Sequence, residues 1–312
     1  MMTKCTRMTV LRCQAADVTS GDVRDFADRI KRLLVGRPVP SGALGETLLP
    51  KRIALPVFAS DALSSVGYAP DEVLITLAVA GVAATSLSPW VALAVVGVLA
   101  VVVASYRQTV HAYPSGGGDY EVVSANLGSH AGLLVASALL SDYVLTVAVS
   151  VSSGTSYLAA ALPALVPYKV EIAVAVVTFL AVLNMRGSRE SGRAFAIPTY
   201  LYMGVIGIMA VVGFIQELTG TLGQAESAGL DVVTHSGWEQ GLTGLAGGFL
   251  VLRAFSSGCA ALTGVEAISN GVPSFQRPKS RNAATTLLLL GAIAALMLII
   301  TKIGRASCRE RV

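Results

Sequence analysis

Seven long apolar stretches constrain what this chain can fold into more than any other feature of its 312 residues. Each has roughly the 20 residues that a helix needs to cross the hydrocarbon core of a bilayer. Stretches this long and this apolar satisfy their backbone polar groups within a membrane by forming helices. We therefore predict an all-α integral membrane protein with about seven transmembrane helices, at residues 53–81, 89–106, 131–163, 169–186, 194–216, 244–270 and 283–301.

Charged residues are too scarce to cover a water-facing surface. Hydrophobic residues make up 54% of the chain and charged residues only 13%, whereas soluble domains carry about 25% charged residues. The four cysteines and the three scattered histidines form neither a disulfide framework nor a transition-metal site. These features exclude an ordinary soluble enzyme, and no basic patch with interleaved aromatic residues indicates a nucleic-acid partner. The expected partner is the lipid bilayer itself.

Lysine and arginine residues mark one side of the membrane. Ten of them precede the first stretch, and seven more lie in the loops at residues 107, 186–193 and 277–281, which alternation places on the same side. The opposite loops hold Lys169 alone, and the long loop at 217–243 is acidic. Because cytoplasmic loops carry an excess of lysine and arginine, we expect a multi-pass protein of the plasma membrane with a cytoplasmic N-terminus.

Two of the stretches contain residues that interrupt helices. The first covers about 28 residues, or roughly 42 Å of helix, which is long for a hydrocarbon core of about 30 Å. We predict breaks in the first and sixth stretches, at Gly67, Pro70, Gly258 and Gly264. Pro70 would then start a second half-helix with Asp71 and Glu72 in its first turn, where acidic side chains are favoured. Matching breaks in two halves are typical of an inverted-repeat transporter that binds its substrate at the breaks.

Three acidic residues lie deep in apolar stretches: Asp61 in the first, Asp142 in the third and Glu266 in the sixth. An ionised carboxylate at the centre of the membrane costs about 2.5–3.5 kcal/mol on insertion scales, so three of them together indicate a function. The structural alternative is a buried ion pair between one of these acids and Arg253 in the sixth stretch.

Hydroxyl groups accompany each acid at helical spacing, so that each helix presents one polar stripe. The stripes consist of Asp61, Ser64, Ser65 and Tyr68 in the first stretch, Asp142, Thr146 and Ser150 in the third, and Ser256, Cys259, Thr263 and Glu266 in the sixth. Carboxylate and hydroxyl oxygens suit an alkali cation, and a cationic or zwitterionic amine would also fit. An acid in such a place can also carry a proton and couple transport to a proton gradient.

Several segments together resemble a known transporter superfamily. They read KRIALPVFASDALSSVGYAPDEVL, AYPSGGGDYEVVSANLG, LLSDYVLTVAVSVSSG, RGSRESGRAFAIPTYLY and SGCAALTGVEAISNGVPSF. These motifs are similar to those of the amino acid–polyamine–organocation superfamily and, more narrowly, of the KimA-type potassium importers, relatives of the KUP family. The resemblance implies a LeuT-like fold of two inverted five-helix repeats, of which this chain would hold a part.

The resemblance also implies a function, the import of K⁺ together with protons and without a cofactor. Its potassium-binding residues would be Asp61, Tyr68, Asp142, Thr146, Ser150 and Thr263, with Glu266 as the proton-coupling acid. The complete protein could form a homodimer. Two alternatives remain open, a proton-coupled amino acid or polyamine permease of the same superfamily and a membrane fragment that does not transport.

The same reasoning divides the chain into regions. We expect a cytoplasmic arm at 1–52, the first five-helix repeat at 53–216, an extracellular loop at 217–243 and the start of the second repeat at 244–301. Residues 302–312 place four basic residues on the side where few are expected, and they resemble translated sequencing-adapter DNA. We interpret them as a non-native tail of a C-terminally truncated protein, with a short genuine tail as the alternative.

Overall fold

The computed structural model describes residues 48–185, 188–221 and 244–307. Within these ranges the chain is almost entirely helical, and its one β-bridge pairs Leu49 with Phe275. The helices are α1 (Lys51–Ala78), α2 (Ser88–Ala112), α3 (Gly118–Leu127), α4 (Ser129–Ala161), α5 (Lys169–Met185), α6 (Ser188–Thr219), α7 (Gly244–Gly258), α8 (Glu266–Asn270) and α9 (Lys279–Ser307). The predicted all-α fold is confirmed. Most of the predicted N-terminal arm and extracellular loop, and residues 308–312 of the predicted tail, lie outside the described residues.

Six segments of the described chain are long and apolar enough to cross a membrane, one fewer than the sequence predicts. They are Ala84–Ala112, Ser129–Ala161, Pro163–Met185, Ala194–Gln216, Gly244–Asn270 and Lys279–Ile300. The first predicted stretch forms the 28-residue helix α1, which is long enough but not among the six. Its polar stripe and its acidic residues lower its mean hydropathy, and it relies on other helices to cover it. The chain is therefore a multi-pass membrane protein.

Helix α1 is continuous, so the predicted breaks at Gly67 and Pro70 are wrong. Both residues lie inside the helix, as does Pro56. Packing explains the glycine: a Cβ atom at position 67 would lie 2.6 Å from the hydroxyl oxygen of Tyr202 on α6. Tertiary contacts on several sides hold the helix together through its prolines, which by themselves weaken a helix.

The predicted half-helix after Pro70 is therefore absent, and Asp71 and Glu72 do not cap it. The carboxylate of Asp71 instead accepts a hydrogen bond from the hydroxyl group of Tyr157 on α4, with 2.8 Å between the oxygens. Asp71 thus links the second half of α1 to a neighbouring helix.

The sixth span is interrupted, as predicted at Gly258 and Gly264. Helix α7 ends at Gly258, a 3₁₀ turn covers Cys259–Leu262, and Thr263 is extended with φ −60° and ψ 144°. Gly264 follows with φ +83°, a left-handed conformation that costs an L-residue with a side chain about 1–2 kcal/mol. The chain returns to helix only at Glu266, the first residue of α8.

Gly264 also lets the broken span approach α1 closely. A Cβ atom at position 264 would lie 2.8 Å from the backbone nitrogen of Ala62 and 2.8 Å from the Oδ2 atom of Asp61. Only a residue without a side chain fits between these atoms, and only glycine adopts this backbone conformation without strain. The break is therefore held directly against the acidic residue of the first polar stripe.

Helix α1 lies at the centre of the described bundle. It packs against α6, α7 and α9, and α9 also packs along α2. The core between them contains Leu63, Val66, Leu99, Val265 and Leu287, each with at most 1% of its surface exposed. Helices α4 and α5, in contrast, expose most of their apolar residues. The packed side of the bundle thus carries the break and the buried part of the polar stripe of α1.

We predict that Gly264→Ala lowers the melting temperature of the purified protein by several degrees, because the new methyl group meets backbone and carboxylate atoms in a strained conformation. Thermal unfolding in detergent measures this change. The matched control is Gly248→Ala in α7, where nothing lies within 4 Å of the added Cβ atom. The control should be neutral or slightly stabilising, and an equal loss in both variants would contradict our account of Gly264.

Candidate cation-binding site

A chain of hydroxyl groups joins α1 to the break in the sixth span. The hydroxyl group of Tyr68 donates to the Oγ atom of Ser65 at 3.1 Å. The Oγ atom of Ser65 lies 2.8 Å from the Oγ1 atom of Thr263, which itself donates to the backbone oxygen of Ala260 at 2.8 Å. Because Thr263 has only one hydroxyl proton, Ser65 is the donor in the bond between them. Each of the three hydroxyl oxygens keeps at least one lone pair that these hydrogen bonds do not use.

The three predicted acids come together around the break. The carboxyl group of Asp61 lies against Gly264, and it interacts electrostatically with Asp142 on α4. Glu266, with 9% of its surface exposed, interacts electrostatically with both of them. Three helices that are far apart in the sequence thus contribute one acid each to a single region.

No lysine or arginine whose side chain the structure describes forms an ion pair with these three acids. Arg253, the proposed structural partner, is exposed on α7. The ion-pair alternative is therefore wrong for the residues that the structure describes. A cluster of acids without a basic partner in low dielectric favours a bound cation or proton.

The stripe of α4 lies on the less exposed side of an otherwise exposed helix. Asp142, Thr146 and Ser150 are half-buried, whereas most residues between them are exposed. The Oγ atom of Ser150 is shielded from solvent and has no hydrogen-bond partner among the described residues. Among the described residues, no hydrogen bond joins Thr146 or Ser150 to the hydroxyl chain. The stripe of α4 is therefore linked to the stripes of α1 and the sixth span through Asp142.

Ser65 belongs to the site, although the family resemblance does not include it among the potassium-binding residues. It is fully buried and contacts two predicted ligands, Tyr68 and Thr263. Its neighbour Ser64 is exposed and donates to the backbone oxygen of Asp61, within its own helix, at 2.8 Å. Helical spacing places both serines on one stripe, so spacing alone does not distinguish their roles. Only the packing of the sixth span against α1 shows that Ser65 is the one that contacts Thr263.

Two further hydroxyl groups belong to tyrosines that interact electrostatically with Glu266, and neither is part of a predicted stripe. Tyr106 on α2 donates to the Oδ2 atom of Asp119 at 2.7 Å, and the Nδ2 atom of Asn270 donates to Tyr143 at 2.7 Å. Both tyrosines interact electrostatically with Glu266. Tyr143 could have been expected near the site because it directly follows Asp142 in the sequence. No spacing in the sequence indicated that Tyr106 lies there.

A cavity of about 500 Å³ opens beside Tyr68, between α1 and α4. Its walls are formed by Tyr68, Asp71, Glu72, Leu74, Ile75, Ser152, Ser153, Ser156 and Tyr157. Tyr68, a predicted ligand, thus belongs to the hydroxyl chain and also lines an open cavity that contains two acidic residues.

Residues 57–305 match the family model described as amino acid permease. The chain belongs to this family. It is also 44% identical over 268 residues, or 86% of its length, to the potassium transporter KimA of Bacillus subtilis. It is 33% identical over 137 residues, or 44% of its length, to the probable potassium transport system protein Kup 1 of Bradyrhizobium. The chain spans 43% and 20% of the lengths of these two relatives.

We predict that Ser65→Ala destabilises the protein by about 1–3 kcal/mol, because it removes the acceptor of Tyr68 and the donor to Thr263 in a buried place. Denaturant unfolding in detergent micelles measures the loss. Ser64→Ala serves as the control, since Ser64 is exposed and bonds only to its own helix. A loss no larger than that of the control would refute the bridging role of Ser65.

Proposed function

We propose that this chain contributes the cation site of a transporter that imports K⁺ coupled to protons. One observation carries the proposal: three acids from α1, α4 and α8 interact around a helix break, and no described basic residue pairs with them. Acids inside a membrane protein that lack basic partners mark ion or proton pathways. The printed names of both relatives, a potassium transporter and a probable potassium transport protein, support K⁺ as the cation.

The proposed ligands supply the kind of oxygens that can replace the hydration shell of K⁺. Carboxylates come from Asp61 and Asp142, and hydroxyl oxygens come from Tyr68, Thr146, Ser150 and Thr263. Tyr68 and Thr263 are held in place by Ser65, and their lone pairs remain available to a cation. The extended backbone at Thr263 also interrupts the helix of the broken span, and backbone carbonyl groups at such breaks coordinate cations in transporters of this kind.

Glu266 is the proposed proton-coupling acid. It begins α8 directly after the break and interacts with Asp61 and Asp142. The negative charges of these three acids repel one another in a poorly hydrated place, and K⁺ at the site together with a proton on Glu266 compensates them in the loaded state. K⁺ and H⁺ are then both cargo, and no resident cofactor is required.

The second candidate is a proton-coupled amino acid or polyamine permease, which the description of the matching family favours. An amine group would take the place of the cation against the same acids. In either case we propose the orientation that the positive-inside rule indicates, with the N-terminus in the cytoplasm, and a homodimer for the complete protein. The remaining alternative is a membrane fragment that binds neither substrate.

We predict that the complete gene containing this chain restores growth of a potassium-uptake-deficient bacterium at low K⁺ and supports Rb⁺ uptake. Asp142→Asn should reduce Rb⁺ uptake at least about tenfold, because losing a charged partner costs about 1.5–3 kcal/mol. Glu171→Gln, an exposed acid at the start of α5, is the control and should leave uptake unchanged. Uptake that is insensitive to Asp142→Asn would rule out the proposed site.

Substrate binding to the 312-residue chain itself separates the three candidates. We predict that KCl raises its melting temperature more than NaCl of equal ionic strength, because a ligand that binds only the folded state stabilises it. Amino acids or polyamines should have no such effect. Stabilisation by these amines but not by KCl would favour the permease, and stabilisation by neither would favour the non-transporting fragment.

A further inference from the structure

The short helix α3 is fastened to the broken span by a glycine-rich turn. Gly116, Gly117 and Gly118 have φ values of +83°, +90° and +48°. A Cβ atom at position 116 would lie 2.5 Å from the Cδ atom of Pro273, and one at position 118 would overlap the side chains of Asn270 and Ser269. The backbone of the turn therefore lies directly on the segment that follows Glu266.

Helix α8 needs such support. It has only five residues, too few for a helix to be stable without tertiary contacts. On one side the glycine turn packs against its last residues, and on another Asn270 donates to the hydroxyl group of Tyr143 on α4. The position of Glu266, the first residue of α8, therefore depends on the contacts that α3 and α4 make with this helix.

Asp119 connects this turn to α2. Its Oδ2 atom accepts the hydrogen bond of Tyr106, whose ring packs against the main core of the bundle. Both partners interact electrostatically with Glu266. The ionisable groups that face Glu266 from the packed helices are Asp61 on α1, Tyr106 on α2, Asp119 on α3, and Asp142 and Tyr143 on α4.

We propose that Asp119 is a positioning residue for the proton-coupled step. By accepting the hydrogen bond of Tyr106, it fastens the amino end of α3 to α2 and thereby holds α8, so that Glu266 keeps the geometry in which it exchanges its proton. The inference rests on the proposed function, since it assigns Asp119 a part in the coupling at Glu266. It does not make Asp119 a ligand of K⁺.

The test uses the complete protein in proteoliposomes and two Rb⁺ assays. One measures accumulation driven by a proton gradient, and the other measures exchange of internal K⁺ for external Rb⁺ at equal pH, which needs no net proton movement. Asp119→Ala and Tyr106→Phe should each lower driven accumulation at least about tenfold and change exchange less than about twofold. The double variant should be no worse than either single variant, because both remove the same hydrogen bond.

Asp119→Asn separates positioning from a charge effect. Asparagine still offers an oxygen to Tyr106, so this variant should keep driven accumulation within about threefold of the wild type. The matched control is Glu121→Ala on the same helix, which should behave as the wild type. Tyr106→Phe, on a different helix, keeps the test decisive if Asp119→Ala fails to fold.

Three results would overturn the inference: normal driven accumulation in Asp119→Ala and Tyr106→Phe, an equal loss in both assays, or an Asp119→Asn variant as impaired as Asp119→Ala. The wild type distinguishes these results from a failure of the proposed function. A wild-type protein that neither exchanges nor accumulates Rb⁺ refutes K⁺ transport, whereas active wild type with unaffected variants refutes only the role of Asp119.

Discussion

The close approach of the sixth span to α1 at Gly264 is the contact on which the rest of the site depends. The glycine combines a left-handed backbone with a position between the backbone of Ala62 and the carboxyl group of Asp61. This contact brings Thr263 within hydrogen-bond distance of Ser65, and it starts α8 so that Glu266 reaches Asp61 and Asp142. A larger residue at position 264 would push the sixth span away from α1. It would thereby move Thr263 away from Ser65 and Glu266 away from Asp61.

The hydroxyl groups and the acids of this region differ in whether the protein itself supplies their partners. The hydroxyl chain from Tyr68 to Ala260 satisfies every donor within the protein, as buried polar groups require. The acids, in contrast, have no basic partner among the side chains that the structure describes. This difference fits a site in which the hydroxyl groups are fixed in advance and the negative charge is left for a cation and a proton to compensate.

The sequence predicted the helical spans and the acids better than the breaks. Long apolar stretches gave helices close to their predicted bounds, because length and hydropathy decide what crosses a membrane. Gly67 and Gly264 looked alike in the sequence, yet the first makes room for Tyr202 in a continuous helix and the second bends the chain. A small residue can serve either purpose, and the neighbouring helix that decides between them is not visible in local sequence.

The sequence by itself determined the apolar spans, the acids that lie in them and the helix faces of Asp61 and Asp142, because hydropathy and helical spacing are local properties. Only the tertiary structure decided which stripes meet, that Ser65 rather than Ser64 joins Thr263, and that Asp119 reaches the surroundings of Glu266. These outcomes depend on contacts between residues far apart in the chain, and such contacts follow from how whole helices pack.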